Sequence, residues 1–240
     1  MGIPSYFSHI IKEYRNIIQT LHELQCVDNL YLDSNSIIYD IIHGYESMPK
    51  NMNSVYNDIC KKIDKYIETT DVKNRIIIAF DGVAPVAKLE QQRTRRFKSA
   101  LLTKLGNDIK ENTKDRFDTC NITPGTKFME DMNKYIKNYY KNNEKVILSL
   151  TDEPGEGEHK IFDYIRDNIS YHINTTTLIY GLDADLIMLC LNHIDVCPNI
   201  YLYRETPEFI KHLDDTLEPN KDYLLNICRL ADKISLKLTN

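Results

Sequence analysis

Apolar residues along this chain fall into two patterns. Short unbroken runs, LYL at 30–32, RIIIAF at 75–80, VILSL at 146–150, TLIYGL at 177–182 and IYLY at 200–203, are rich in β-branched and aromatic residues. They are too short for helices and predict strands. Their hydrophobicity is nearly continuous rather than alternating, which marks strands covered on both faces, as in a parallel sheet. Between the runs, apolar residues recur at helical spacing. This predicts helices over 9–24, where Ile10, Tyr14, Ile17, Ile18 and Leu21 share a face, and over 34–43, 55–68, from about 88 onward, from PGTKF to Tyr140, over 159–167 and over 219–238. Residues 48–52 read as a loop, and 106–121, polar and poorly periodic, as flexible or partly helical chain. Strand and helix alternate throughout, so the expected architecture is an α/β fold with a mostly parallel central sheet flanked by helices, in a single domain over residues 1–240.

The polar residues that end these runs carry the candidate chemistry. Asp33 and Asp81 follow the first two runs directly, Glu156 and Glu158 follow the third within DEPGEGE, and Asp183 and Asp185 close the fourth as GLDAD. Open α/β sheets place their ligands at the carboxyl ends of the strands, so the six acids are expected to meet in one crevice. Carboxylates crowded together repel and cannot all ionise without cationic compensation. Two oxygen-ligated Mg²⁺ or Mn²⁺ ions, held roughly 3.5–4 Å apart, supply it, and that pair clamps attacking and leaving oxygens in phosphodiester hydrolysis.

Each acid also has a plainer reading. On an extended strand end Asp183 and Asp185 project to the same side, whereas Asp183 alone fits the cap of a helix beginning near Ala184. Glu156 and Glu158 flank Gly157, where a glutamate also complements the positive end of the following helix. Asp33 and Asp81, taken singly, fit caps or turns equally well; the two pairs shift the balance toward metal ligation. Asn35 is placed to orient Asp33, and His159 reads as a structural hydrogen-bonding residue.

The chain's 240 residues, 42% of them hydrophobic, suffice for a full core. A net charge of −5 argues against nucleic acid, yet residues 88–104 concentrate Lys88, Arg93, Arg95, Arg96, Lys98 and Lys104 against the single acid Glu90. Lys88, Gln92, Arg95 and Arg96 stand at i, i+4, i+7 and i+8, on one helical face. Such a row of cations and an amide fits phosphate, with a solvated charged face as the alternative. The six cysteines form no CxxC pair and read as reduced thiols of an intracellular protein. No apolar run approaches the roughly 18–20 residues of a membrane span, so the expectation is a soluble protein of cytoplasm or nucleus without membrane contact. Abundant Asn, Ile, Lys and Tyr suit an AT-rich genome, such as that of a large DNA virus or a parasite.

Motif by motif, the chain resembles the 5′→3′ exoribonuclease (Xrn) family. MGIPSYF, LDSNSIIYDIIH, AFDGVAPVAKLEQQRTRRFKSA, ITPGTKFME, EPGEGEHKI, GLDADLIML and YLYRE follow the family's order between Met1 and Glu205. The resemblance implies a PIN-like or flap-nuclease-like fold and Mg²⁺- or Mn²⁺-dependent removal of nucleotides from RNA bearing a 5′-monophosphate. It puts Asp33, Asp81, Glu156, Glu158, Asp183 and Asp185 on the family's metal-binding acids, and Lys88, Gln92, Arg95 and Arg96 on its 5′-phosphate pocket. Tyr39 stands where the family usually has a His that stacks on the 5′ base, and a tyrosine ring can stack likewise; Val86 stands where Arg is common. Family members continue into a second conserved region that supplies another metal-binding Asp and an aromatic partner for the base. The implied partners are therefore RNA and a protein bringing that region, with Asp214, Asp215 and Asp232 as the acids available to substitute. Two alternatives are a non-catalytic RNA-binding or scaffolding protein and a flap-type DNA nuclease, which would share the acids but not the KxxxQxxRR helix.

Overall fold

The computed structural model describes residues 6–14, 16–47, 49–110, 117–206, 217–218 and 221–239. In chain order these form α1 (Tyr6–Glu13), β1 (Ile18–Gln19), β2 (Asn29–Asp33), α2 (Asn35–Gly44), α3 (Met52–Thr70), β3 (Arg75–Ala79), α4 (Val86–Lys110), α5 (Lys127–Tyr140), β4 (Val146–Ser149), α6 (Gly157–Asp167), α7 (Ile169–His172), β5 (Thr177–Tyr180), α8 (Asp185–Leu191), β6 (Ile200–Glu205), β7 (Asp222–Asn226) and α9 (Ile227–Thr239). Among the described residues, the strands make one sheet in the order β1-β7-β6-β5-β2-β3-β4. The five strands from β6 to β4 run parallel, while β7 and β1 close one edge antiparallel.

This order positions the site. The chain lays down β2, β3 and β4 outward in one direction, then returns to the other side of β2 for β5 and β6. The strand order therefore reverses between β2 and β5, and at such a switch point the flanking loops part and leave a crevice at the carboxyl ends. In register, Asp33 lies level with Ala79, and Ala79 with Ser149, while Leu32 is level with Tyr180. The acids at the four strand ends thus start from one level.

Alternate residues of each strand feed opposite faces. Leu30, Leu32, Ile76, Ile78, Leu178 and Tyr180 pack under α2, α3 and α5 through Ile37, Ile38, Ile59, Ile63, Met132 and Ile136. Tyr31, Ile77, Ala79, Ile179 and Leu202 pack against α1, α6, α8 and α9 through Phe7, Ile10, Ile161, Phe162, Leu186 and Leu230. Each large apolar side chain so buried contributes about 1.5–3 kcal/mol, which holds the strand ends, and the loops they carry, in place.

Three expected elements differ. The helix over 9–24 stops at Glu13. Asn16 then takes a left-handed φ of 63°, and Ile18 and Gln19 pair with Leu225 and Leu224. The terminal helix over 219–238 is instead strand β7 followed by α9, residues 219 and 220 lying outside the described ones. The fourth run ends as a strand at Tyr180, so Asp183 sits in a loop and Asp185 is the first residue of α8. The helix expected from about 88 begins at Val86 and continues to Lys110, so the stretch read as flexible or partly helical is helical over residues 106–110. Residues 111–116 of that stretch, the first five of MGIPSYF, Met48 of the expected 48–52 loop, and Asp214 and Asp215 lie outside the described residues. All six cysteines are free thiols. Among the described residues no helix is long and apolar enough to cross a membrane.

Candidate metal and phosphate site

Asp33, at the end of β2, is the centre of the acid cluster. Burial holds its carboxyl well above the usual carboxylate range, and the neighbouring charges of Asp81, Glu158, Asp183 and Glu156 push it the same way. Five of the six predicted acids are thereby brought together. One Asp33 oxygen, Oδ1, is buried without a hydrogen-bond partner. Asp81 is also raised, chiefly by burial, against which the Gly157 N–H donated to its Oδ1 at 2.7 Å works. Burial raises Glu158 too, opposed by His159 and Lys88. Glu156 is buried and accepts a hydrogen bond from Lys88 Nζ at 2.5 Å. Asp183 follows on the exposed loop. Asp185 is the first residue of α8 and is half-buried.

The glycines in EPGEGE have specific reasons. A Cβ on Gly157 would stand 2.6 Å from Asp33 Oδ1, so only glycine lets this backbone approach both Asp33 and Asp81. Gly155 adopts φ 101°, and its N–H is donated to Val83 O at 3.0 Å while its carbonyl accepts from Gly82 at 2.8 Å. These bonds join the loops after β3 and β4. His159 Nε2 lies 3.8 Å from Glu156 Oε2 and from Glu158 Oε1. The three side chains offer ligand atoms within 4.8 Å of one another.

Two cations, the half-buried Lys160 and the buried Arg204, escaped the motif reading. Lys160 Nζ is donated to Phe80 O at 2.9 Å and Leu150 O at 2.7 Å. Arg204 Nη2 is donated to Leu182 O at 3.1 Å, with the guanidinium 3.8 Å from the centre of the Phe7 ring. Each thus grips the carbonyl of the residue just before a cluster aspartate, Asp81 or Asp183. Burial pulls Lys160 below its ordinary value and Arg204 down to about 10, with Asp183 opposing. The available signal was a charged residue inside an apolar run, YLYRE, since a buried cation requires a partner. Asn35, expected to orient Asp33, instead accepts the backbone N–H of Asp81 at 3.2 Å; it holds the neighbouring strand end.

Helix α4 brings Lys88 to the acid cluster through its ion pair with Glu156. Lys88, Gln92 and Arg96 are partly covered and Arg95 is exposed. Arg96 Nη2 is donated to Gln92 Oε1 at 3.4 Å. Tyr39 on α2 is 37% exposed. Burial raises its hydroxyl, with Arg96 opposing and Asp81 assisting. Val86 is open to solvent, and the Lys104 side chain lies outside the described ones.

A sheet with its acidic crevice at the switch point, beside a cationic helix, is the architecture of a PIN-like α/β domain. Residues 1–206 match the family model described as XRN 5′-3′ exonuclease N-terminus, and the chain belongs to that family. It is 38% identical over 264 residues to the 5′-3′ exoribonuclease 1 of Saccharomyces cerevisiae, with 99% of this chain and 17% of that protein covered. The Schizosaccharomyces pombe protein of the same name is 36% identical, with 99% and 20% covered. The 5′-3′ exoribonuclease 2 homolog of Drosophila melanogaster is 34% identical, with 95% and 30% covered. The chain therefore spans less than a third of the length of each of these relatives.

Proposed function

We propose that this domain hydrolyses RNA from a 5′-monophosphate end, in the 5′→3′ direction, with two Mg²⁺ or Mn²⁺ ions as cofactors. The observation that carries the reading is the cluster of Asp33, Asp81, Glu156, Glu158 and Asp183, joined through the Lys88–Glu156 ion pair to the helix α4 that also carries Gln92 and Arg96. The donor set fits hard divalent cations: it is mostly carboxylate oxygen, it is too crowded to ionise fully by itself, and it includes the orphaned Asp33 Oδ1. Asp33, Asp81, Glu156, Glu158, Asp183 and Asp185 would hold the ions, with His159 as a further nitrogen donor. Divalent ions there supply Lewis acidity for an attacking water and for the leaving oxygen.

The chain's own residues do the positioning. Lys88, Gln92, Arg95 and Arg96 hold the terminal phosphate, and Arg forks bind it through paired N–H donors. Tyr39 stacks on the first base. Docking the end at a fixed distance from the acids selects the first scissile bond and converts cleavage into an effectively unimolecular step. The names of the relatives and the KxxxQxxRR face favour RNA over a flap-type DNA substrate. The test is a time course on 3′-labelled RNA carrying a 5′-monophosphate or a 5′-hydroxyl, with Mn²⁺ or EDTA. Metal-dependent loss of the phosphorylated RNA alone is expected. Binding of that RNA without turnover would replace the enzyme reading with an RNA-binding or scaffolding role.

A further inference from the structure

Lys88 belongs to two constellations at once. Its Nζ reaches Glu156 Oε2 at 2.5 Å, with the two side chains 33% and 9% exposed. The same lysine opens the α4 face that continues through Gln92 and Arg96. Burial tends to lower this ammonium, and the hydrogen bond and charge of Glu156, with Glu158 and Asp81 behind it, more than offset that.

Lys160 Nζ is committed to two backbone carbonyls, which cannot be withdrawn without moving strand ends. Lys88 holds one side-chain carboxylate at the edge of solvent, on a flexible four-carbon stem. Its partner Glu156 also belongs to the group of Glu156, Glu158 and His159 whose ligand atoms lie within 4.8 Å. One ammonium cannot fully neutralise Glu156 and a phosphate together, since a half-buried ion pair presents little net charge to a third group.

We infer that Lys88 is a shared counterion coupling the two halves of the site: it neutralises Glu156 until a divalent cation takes that carboxylate, and is then available to the 5′-phosphate. This rests on the reading above of the acids as a cation site and of α4 as a phosphate site. Linkage makes the effect reciprocal: metal strengthens phosphate binding, and the phosphate strengthens metal binding by the same factor.

The experiment measures binding rather than turnover. Fluorescence anisotropy is recorded with a 2′-O-methyl phosphorothioate oligoribonucleotide bearing a 5′-phosphate or a 5′-hydroxyl, in EDTA and in Mn²⁺, with melting temperatures confirming the fold of each variant. In wild type, Mn²⁺ is expected to raise the preference for the 5′-phosphate on the order of tenfold. Glu156→Gln should show that raised preference already in EDTA, because Lys88 has been released. Glu158→Gln removes the same charge without releasing Lys88 and should not. Lys88→Met should show a low preference that Mn²⁺ leaves unchanged.

Equal gains in Glu156→Gln and Glu158→Gln would reduce the effect to general charge relief and overturn the inference. A full preference in wild type with EDTA, insensitive to Mn²⁺, would overturn it as well. If no protein distinguishes the two probes under any condition, the phosphate reading of α4 itself fails and the coupling falls with it.

Discussion

Asp33 carries a buried carboxyl whose neighbouring charges, Asp81, Glu158, Asp183 and Glu156, all share its sign. A carboxyl raised in the folded state favours folding below its unfolded pKa, and that contribution is lost as pH rises through the folded value. In EDTA at neutral pH, Asp33→Asn should therefore be more stable than wild type, by about 1–4 kcal/mol. The advantage should fade as pH is lowered through the range where Asp33 takes its proton, and hydrolysis should be lost. Urea melts of both proteins across a pH series check this; a difference independent of pH would contradict it. Gly157→Ala places a methyl 2.6 Å from Asp33 Oδ1. It should cost about 1–3 kcal/mol and abolish Mn²⁺ binding measured by calorimetry, whereas retained binding would show that the approach is not required. At this scale the meeting of Asp33, Asp81, Glu156, Glu158 and Asp183 was legible, because each follows an apolar run whose end the sheet fixes. Lys160 and Arg204 were not, because they act on backbone carbonyls, whose meeting points leave no spacing in the sequence.

Helix α4 was legible as an element, its cations and its single acid being local facts. The phosphate role proposed for it makes a direct prediction: Arg95→Ala with Arg96→Ala should lower the 5′-phosphate to 5′-hydroxyl preference about tenfold or more, the scale of charged hydrogen bonds worth roughly 1.5–3 kcal/mol. Competition binding with the two RNA ends measures it, and an unchanged preference would take this helix out of the phosphate site. The two misread elements, at 9–24 and 219–238, have one physical cause. Ile18–Gln19 and Asp222–Asn226 are short segments whose strand state depends on tertiary pairing, β7 with β6 along its length and β1 with β7 across the whole chain. Short apolar runs read alike as strand or helix when the partner is distant. Asp185 was misplaced likewise, because a strand that stops at Tyr180 rather than Asp183 turns a same-side pair into a loop residue and a helix start.

Across the whole molecule, the reversal of strand order between β2 and β5 gathers acids from four separate strand ends. That convergence is legible only as an expectation from the α/β pattern, since strand order is not written in any one run. The folded chain alone assembles the cluster, so cations that bind it stabilise folding by mass action, about 2.7 kcal/mol at a hundredfold excess over Kd. Mn²⁺ should raise the melting temperature of wild type and not that of Asp33→Asn combined with Asp81→Asn; equal shifts in both would indicate binding elsewhere. The most direct test of hydrolysis from the 5′ end is to label the 5′-phosphate itself, add Mn²⁺ and follow the label. Its release as a mononucleotide from the earliest times, with no shortened 5′-labelled RNA, is the predicted result; labelled fragments of intermediate length, or no release, would contradict it.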